Sequence, residues 1–224
     1  MACLLHYYRG EQNALDASAT PRVTRMLQNH FSMIRNFGLA DVFTLANGAC
    51  GLIAIFASME YRASGADAYL LTAAALIPLA FVFDVLDGRI ARMRHTASPL
   101  GRELDSLADV ISFGVAPAAI AFATGLDSLL DQVVLIFFAL CGLSRLARYN
   151  VTAESLSGDA GKVKYFEGTP IPTSVVPLAL LMIAFYHCNL FPMQILGVEF
   201  HLLSLAFLLS GCLMISKSLR IPKF

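Results

Sequence analysis

Charge is what this chain most lacks. Only 14% of its 224 residues are Asp, Glu, Lys or Arg, while 57% are hydrophobic; a soluble globular domain carries about 25% charged residues. Neither a water-soluble globule nor a disordered chain has this composition. No net positive charge is present either, because 16 Lys and Arg meet 16 Asp and Glu, and a nucleic-acid binder of the basic kind is excluded. Cysteine is scarce as well. The five residues Cys3, Cys50, Cys141, Cys188 and Cys212 are odd in number and follow no metal-ligand spacing, so they form no disulfide framework and read as small buried hydrophobes. The opening MACLLHYYRGEQNALD has no cationic stretch before a long apolar run, and a cleaved signal peptide is not expected. What remains is a polytopic membrane protein.

Six apolar stretches approach the length needed to cross a bilayer: Leu39–Met59, Ala66–Leu86, Leu104–Thr124, Leu129–Ala147, Ile171–Tyr186 and Phe200–Ser216. Spanning takes about 20 helical residues, and hydrocarbon requires every backbone amide to be satisfied within its own segment. The expected fold class is therefore an all-α integral membrane protein with six transmembrane helices. Before them, Pro21–Phe37 spaces Val23, Met26, Leu27, His30, Phe31 and Ile34 at helical intervals, which predicts an amphipathic helix lying in the interface. The implied division is a cytoplasmic segment over 1–38, a membrane domain over 39–218 and a tail over 219–224.

Orientation follows from the cations. With the N-terminus in the cytoplasm, six spans put 15 of the 16 cations on that side, Arg62 alone falling on the other. The positive-inside rule thus fixes both the orientation and an even count of spans. Ala153–Gly161 is the one polar, linker-like segment between spans.

Against this apolar background, four carboxylates stand out. Asp84 and Asp87 are three apart near the end of the second span, and Asp105 and Asp109 are four apart at the start of the third. Each spacing puts both acids on one helix face. A short connection between antiparallel helices brings all four to one level at the cytoplasmic surface. Clustered carboxylates repel, so either some are protonated or cations neutralise them. An oxygen-only donor set suits hard divalent ions, Mg²⁺, Mn²⁺ or Ca²⁺, and four negative charges suit two of them. Gly88, Ala91 and Gly101 leave room for a bulky group, and Arg92 adds a permanent cation of the kind that binds phosphate. Metals, an arginine and a small-residue gap together describe a diphosphate site.

The segment DVLDGRIARMRHTASPLGRELDSLAD reads D-x2-D-G-x2-A-R-x8-G-x3-D-x3-D, and in this it resembles the CDP-alcohol phosphatidyltransferases at every fixed position. The resemblance implies metal-dependent transfer of a phosphatidyl group from CDP-diacylglycerol to an alcohol, with release of CMP. It implies that Asp84, Asp87 and Asp105 ligate metal, that Asp109 completes the second metal site and serves as general base, and that Gly88, Ala91, Gly101 and Arg92 receive the nucleotide and its phosphates. It also implies a homodimer among membrane lipids.

The acceptor must be read elsewhere. Phe43–Gly48, Glu103–Gly114, Arg145–Asn150 and Phe166–Pro172 are similar to the serine-using branch of that family. L-serine is zwitterionic, and its carboxylate calls for a cation; Arg148 with Tyr149 is the first choice and Arg145 the second. Lys162, Lys164 and Glu167 are candidates for a lid. Asn47 and Thr44 lie where similar proteins contact the cytidine end of the donor, although an Asn in an apolar helix also serves as interhelical glue. Asp41 suits a helix N-cap, and His95 a solvated loop. Gly114 and Pro117 are positions where the third span can loosen or bend. The competing readings are a sister transferase using inositol or glycerol 3-phosphate, and a divalent-cation transporter. The stretch Gly161–Gly168 looks most like fungal relatives, which would place the chain in the endoplasmic reticulum; a prokaryotic source would place it in the plasma membrane.

Overall fold

A computed structural model describes residues 38–94, 99–156, 165–187, 190, 192–195, 198–216 and 220–222. The interfacial helix expected over Pro21–Phe37, His95, and Lys162 and Lys164 of the expected lid lie outside the described residues. Helix α1 is Leu39–Ser64 and α2 is Asp67–Arg94. Between them Gly65 takes a left-handed conformation (φ +69°), and its N–H closes on the Tyr61 carbonyl at 2.8 Å. A side-chain-bearing residue is strained in that conformation, and glycine ends the helix cheaply. Asp41 lies inside the first turn of α1 rather than before it, where a carboxylate still complements the helix dipole.

The third span is compound: α3 (Pro99–Asp109), a π-helical turn (Val110–Val115) and α4 (Ala116–Ala123). The Ala116 N–H bonds the Ile111 carbonyl five residues back. The following residue, Pro117, has no N–H to give, so the expected loosening takes the form of one widened stretch rather than a break. Helix α5 (Leu129–Leu156) follows, then strand β1 (Tyr165–Glu167), a 3-10 turn (Ile171–Ser174), α6 (Val175–Tyr186), strands β2 (Pro192–Ile195) and β3 (Val198–His201), α7 (Ser204–Ile215) and β4 (Arg220–Pro222). Strand β1 pairs antiparallel with β4, and β2 with β3.

Four helical stretches, Leu39–Ser64, Asp67–Met93, Leu100–Ala123 and Leu129–Val151, are long and apolar enough to cross a membrane; Ile171–Tyr186 and Ser204–Ile215 are shorter apolar helices. Three expectations are corrected. The second helix continues through Arg94 instead of stopping near Leu86, because Ile90, Ala91 and their neighbours are compatible with helix and nothing breaks it. The last helix begins at Ser204, not Phe200, since Phe200 and His201 belong to the β2–β3 pair. The linker beginning at Ala153 is helical as far as Leu156.

Helix α1 packs along α2 on one side and against the whole compound third span on the other; α5 packs against α7. The core between them is largely apolar: Leu70, Ile77, Phe113, Ile120, Phe138, Ile171, Leu181 and Phe207 are fully or almost fully buried. Phe138 meets Phe207 edge-on at 5.3 Å, locking α5 to α7. The outward stripe of α5, Leu129, Val133, Ile136, Leu140 and Leu143, is exposed. In water that stripe would be costly, whereas in lipid it is the face that belongs there.

Candidate active site

The acids meet as the motif spacing predicts, with one refinement. Carboxylate oxygens of Asp84, Asp105 and Asp109 all lie within 4.8 Å of one another. Asp87, buried beside them, has its Oδ2 taken by the Thr44 hydroxyl at 2.8 Å. Thr44, expected at the nucleotide, is thus seen orienting an acid. Because α2 runs unbroken to Arg94, Asp84, Asp87, Gly88, Ala91 and Arg92 ride on one rigid rod. Arg92 is exposed, and its Nε donates to the Gly88 carbonyl at 2.9 Å. Its guanidinium is thereby folded back along α2 beside Gly88.

Helix α1 supplies the opposite wall. Asn47 is fully buried, and its Nδ2 donates to Asp109 Oδ1 at 3.0 Å. Small residues make this reach feasible. A Cβ placed on Gly48 would sit 3.4 Å from Ala108 Cβ, and one on Gly51 would sit 2.7 Å from Ser112 Cα, closer than packed atoms come. Glycines at α1 therefore let its backbone approach the third span closely.

A third wall comes from the end of α5. Asn150 Nδ2 donates to Ser106 Oγ at 3.0 Å and lies 3.3 Å from Glu103 Oε2, which ties this end of α5 to the helix carrying Asp105 and Asp109. Within the turn and a half before Asn150 on α5 stand Arg145 and Arg148, both half-buried, with Tyr149 exposed. Arg145 lies within electrostatic reach of Asp109, and its Nε is buried without a hydrogen-bond partner among the described residues. Gly101, half-buried at the start of α3, completes the motif. Glu167 lies in β1, opposite Arg220 of β4.

Two contributors escaped the sequence reading. Ser112 donates to the Asn47 carbonyl at 2.8 Å, and Asn150 forms the clamp just described. The signal for Ser112 was its place one turn after Asp109 on the face that carries the acids.

The cluster fits a hard divalent cation. Its donors are all carboxylate oxygens, three of them converge, and Asp105 Oδ1 is buried with no hydrogen-bond partner among the described residues. The ion pairs Arg62–Asp127 and His201–Asp131 lie elsewhere. Buried carboxylates left in this state are unfavourable unless a cation joins them.

A helical membrane protein with an acid cluster carried by two adjoining helices is a recognisable class, and comparison with known proteins narrows it. The CDP-alcohol phosphatidyltransferase family model matches residues 37–211, so the chain belongs to that family. It is 46% identical over 209 residues to a Saccharomyces cerevisiae CDP-diacylglycerol–serine O-phosphatidyltransferase, covering 88% of this chain and 74% of the relative. It is 36% identical over 194 residues to the Methanocaldococcus jannaschii enzyme of the same name, covering 87% and 78%. A Methanothermobacter thermautotrophicus archaetidylserine synthase is 34% identical over 155 residues, covering 68% and 60%.

Proposed function

We propose that this chain transfers the phosphatidyl group of CDP-diacylglycerol to the hydroxyl of L-serine, releasing CMP and forming phosphatidylserine. The observation that carries the reading is the convergence of Asp84, Asp105 and Asp109 beside a half-buried arginine, Arg145, on a separate helix. The names of the most similar relatives support serine as the acceptor.

In this reading Asp84, Asp87, Asp105 and Asp109 hold two divalent ions, Mg²⁺ or Mn²⁺. Such ions, when bound, offset the charge of the donor's diphosphate and of the departing CMP. The chain's own groups do the rest. Gly88, Ala91 and Gly101 leave space for the nucleotide, and Arg92 turns its guanidinium to the phosphates. Asn47 presents its amide oxygen, which is buried without a partner among the described residues, as an acceptor for the cytosine amino group. Arg148 with Tyr149, and Arg145 beside them, receive the serine carboxylate. Asp109 takes the proton of the serine hydroxyl as its oxygen bonds to phosphorus and the bond to the CMP oxygen breaks. No covalent enzyme intermediate is required.

The same reading takes all six apolar helices as spans, the two short ones crossing with help from their flanking segments, and places the acids at the cytoplasmic face. It takes residues 39–218 as the catalytic membrane domain and a pair of chains as the working unit. Purified protein supplied with Mg²⁺ or Mn²⁺ and CDP-diacylglycerol tests it: CMP should appear only when serine is added. CMP release driven by inositol or glycerol 3-phosphate instead reassigns the acceptor, and metal uptake into proteoliposomes without CMP release overturns the reading.

A further inference from the structure

Polar side chains in apolar helices commonly bond the carbonyl one turn back on their own helix. Ser58 and Thr72 do so here, to Ala54 at 2.8 Å and Ala68 at 2.7 Å. Ser112 does not. It is fully buried in the π-helical turn, and its hydroxyl crosses to α1 and donates to the Asn47 carbonyl at 2.8 Å.

The residue it selects is the one whose side chain holds Asp109. Asn47 is bound at both ends: its backbone carbonyl by Ser112, and its Nδ2 to Asp109 Oδ1 at 3.0 Å. The π-helical turn begins immediately after Asp109, so the carboxylate and the serine that secures its partner flank the junction. Gly51 preserves the contact. A Cβ there would lie 2.6 Å from Ser112 Oγ and 2.9 Å from Ser112 N. The seam thus has three points along one face of α1: Asn47 on Asp109, Gly48 on Ala108 and Gly51 on Ser112.

We propose that Ser112 is a positioning residue for the transfer reaction. Its hydroxyl fixes the turn of α1 that carries Asn47, and through Asn47 it fixes the orientation of Asp109 and leaves the Asn47 amide oxygen available. The inference rests on the functional reading above and assigns Ser112 no contact with substrate. An interhelical hydrogen bond that merely glued two spans together would act equally whatever stood at position 47. A positioning bond acts only while Asn47 is present. That difference is measurable as a coupling between the two sites.

The experiment compares the full-length wild-type chain with Ser112→Ala, Asn47→Ala and the double variant, each purified in detergent. Removing one buried hydrogen-bond donor is expected to lower kcat by about 10-fold, with KM for serine unchanged. In the Asn47→Ala background the same substitution should cost nothing further. A Mn²⁺ titration followed by electron paramagnetic resonance gives a readout independent of turnover; Ser112→Ala should bind Mn²⁺ several-fold more weakly, again only when Asn47 is present. Equal losses in both backgrounds, or no loss in either readout, overturn the proposal. Ser112→Cys keeps the side chain's size with a weaker donor and should give a smaller loss of the same kind. If neither single variant at 112 folds, Ser112 is a structural residue and the proposal fails. Absence of serine-dependent CMP release in the wild-type chain removes the functional reading instead, leaving the Mn²⁺ coupling to decide the role of Ser112.

Discussion

Acids stand at opposite ends of this protein's long helices, one alone and the others clustered, and the two ends treat them in opposite ways. Asp131, in the first turn of α5, is completely buried and completely provided for. Its Oδ2 accepts from Ser128 at 2.7 Å and meets His201 Nδ1 at 2.6 Å, while Oδ1 accepts from the His201 backbone at 3.2 Å. Ser128 in turn accepts from the Asp131 N–H at 3.2 Å, and Ser204 donates to the His201 carbonyl at 2.8 Å. That network caps α5 and joins it to the chain entering α7. At the other end, Asp84, Asp105 and Asp109 crowd together, with Asp105 Oδ1 lacking a hydrogen-bond partner among the described residues. A carboxylate with both oxygens hydrogen-bonded is part of the framework. Carboxylates held close, with unused oxygens, are arranged for something that arrives from outside.

Removing divalent metal gives the largest expected effect and the sharpest form of the contrast. Chelation should abolish CMP release, and added Mg²⁺ or Mn²⁺ should restore it, with no change in the helical circular dichroism of the protein. Next comes Asp109→Asn, which keeps the shape but takes away both charge and basicity; turnover should fall by about 10³-fold, within the range for a lost general base. The mirror experiment is Asp131→Ala. Leaving His201 without its partner should cost about 3 kcal/mol of stability, seen as a lower melting temperature, while CMP release per folded molecule stays near wild type. If Asp131→Ala silenced the folded enzyme as thoroughly as Asp109→Asn, the distinction between the two ends would be lost.

Smaller effects refine the picture. Gly51→Ala forces a methyl group toward Ser112 and should cost about 1–3 kcal/mol through overpacking, with turnover falling further than stability alone would explain. Arg62→Ala removes an exposed ion pair with Asp127 and a contact 5.3 Å above the Phe122 ring. Its effect on thermal unfolding should be at most about 1 kcal/mol, with no change in turnover.

Much of this was readable in the chain itself, for definite physical reasons. The acids follow helical spacing, so Asp84 and Asp87 on one helix, and Asp105 and Asp109 on the next, had to share faces once their segments were helical, and the four long apolar helices follow from composition and length. What the sequence hid depends on contacts made far along the chain. Ser112 and Asn47 are 65 positions apart, and no periodicity links them. Phe200 is as apolar as the helix after it, so its place in β3 reflects pairing with Met193 rather than any local preference. The polar residues beyond Leu86 looked like the end of a span, but polarity ends a passage through lipid without ending a helix. Thr44 illustrates the same limit at the site: its presence beside the acids was expected, but its hydrogen bond to Asp87 required the packing of α1 on α2.

The uninterrupted run of α2 has a bearing on where chemistry meets lipid. At about 1.5 Å per residue, Asp84 and Asp87 stand about 26–30 Å along the helix from Asp67, close to the thickness of a hydrocarbon layer, about 30 Å. A lipid whose tails stay dissolved in that layer already carries its phosphates at the same depth. In the reading proposed above, with the acids at the cytoplasmic face, the donor has no need to be lifted out of its leaflet: it drifts sideways into place, and only the small water-borne reactant has to come down to meet it.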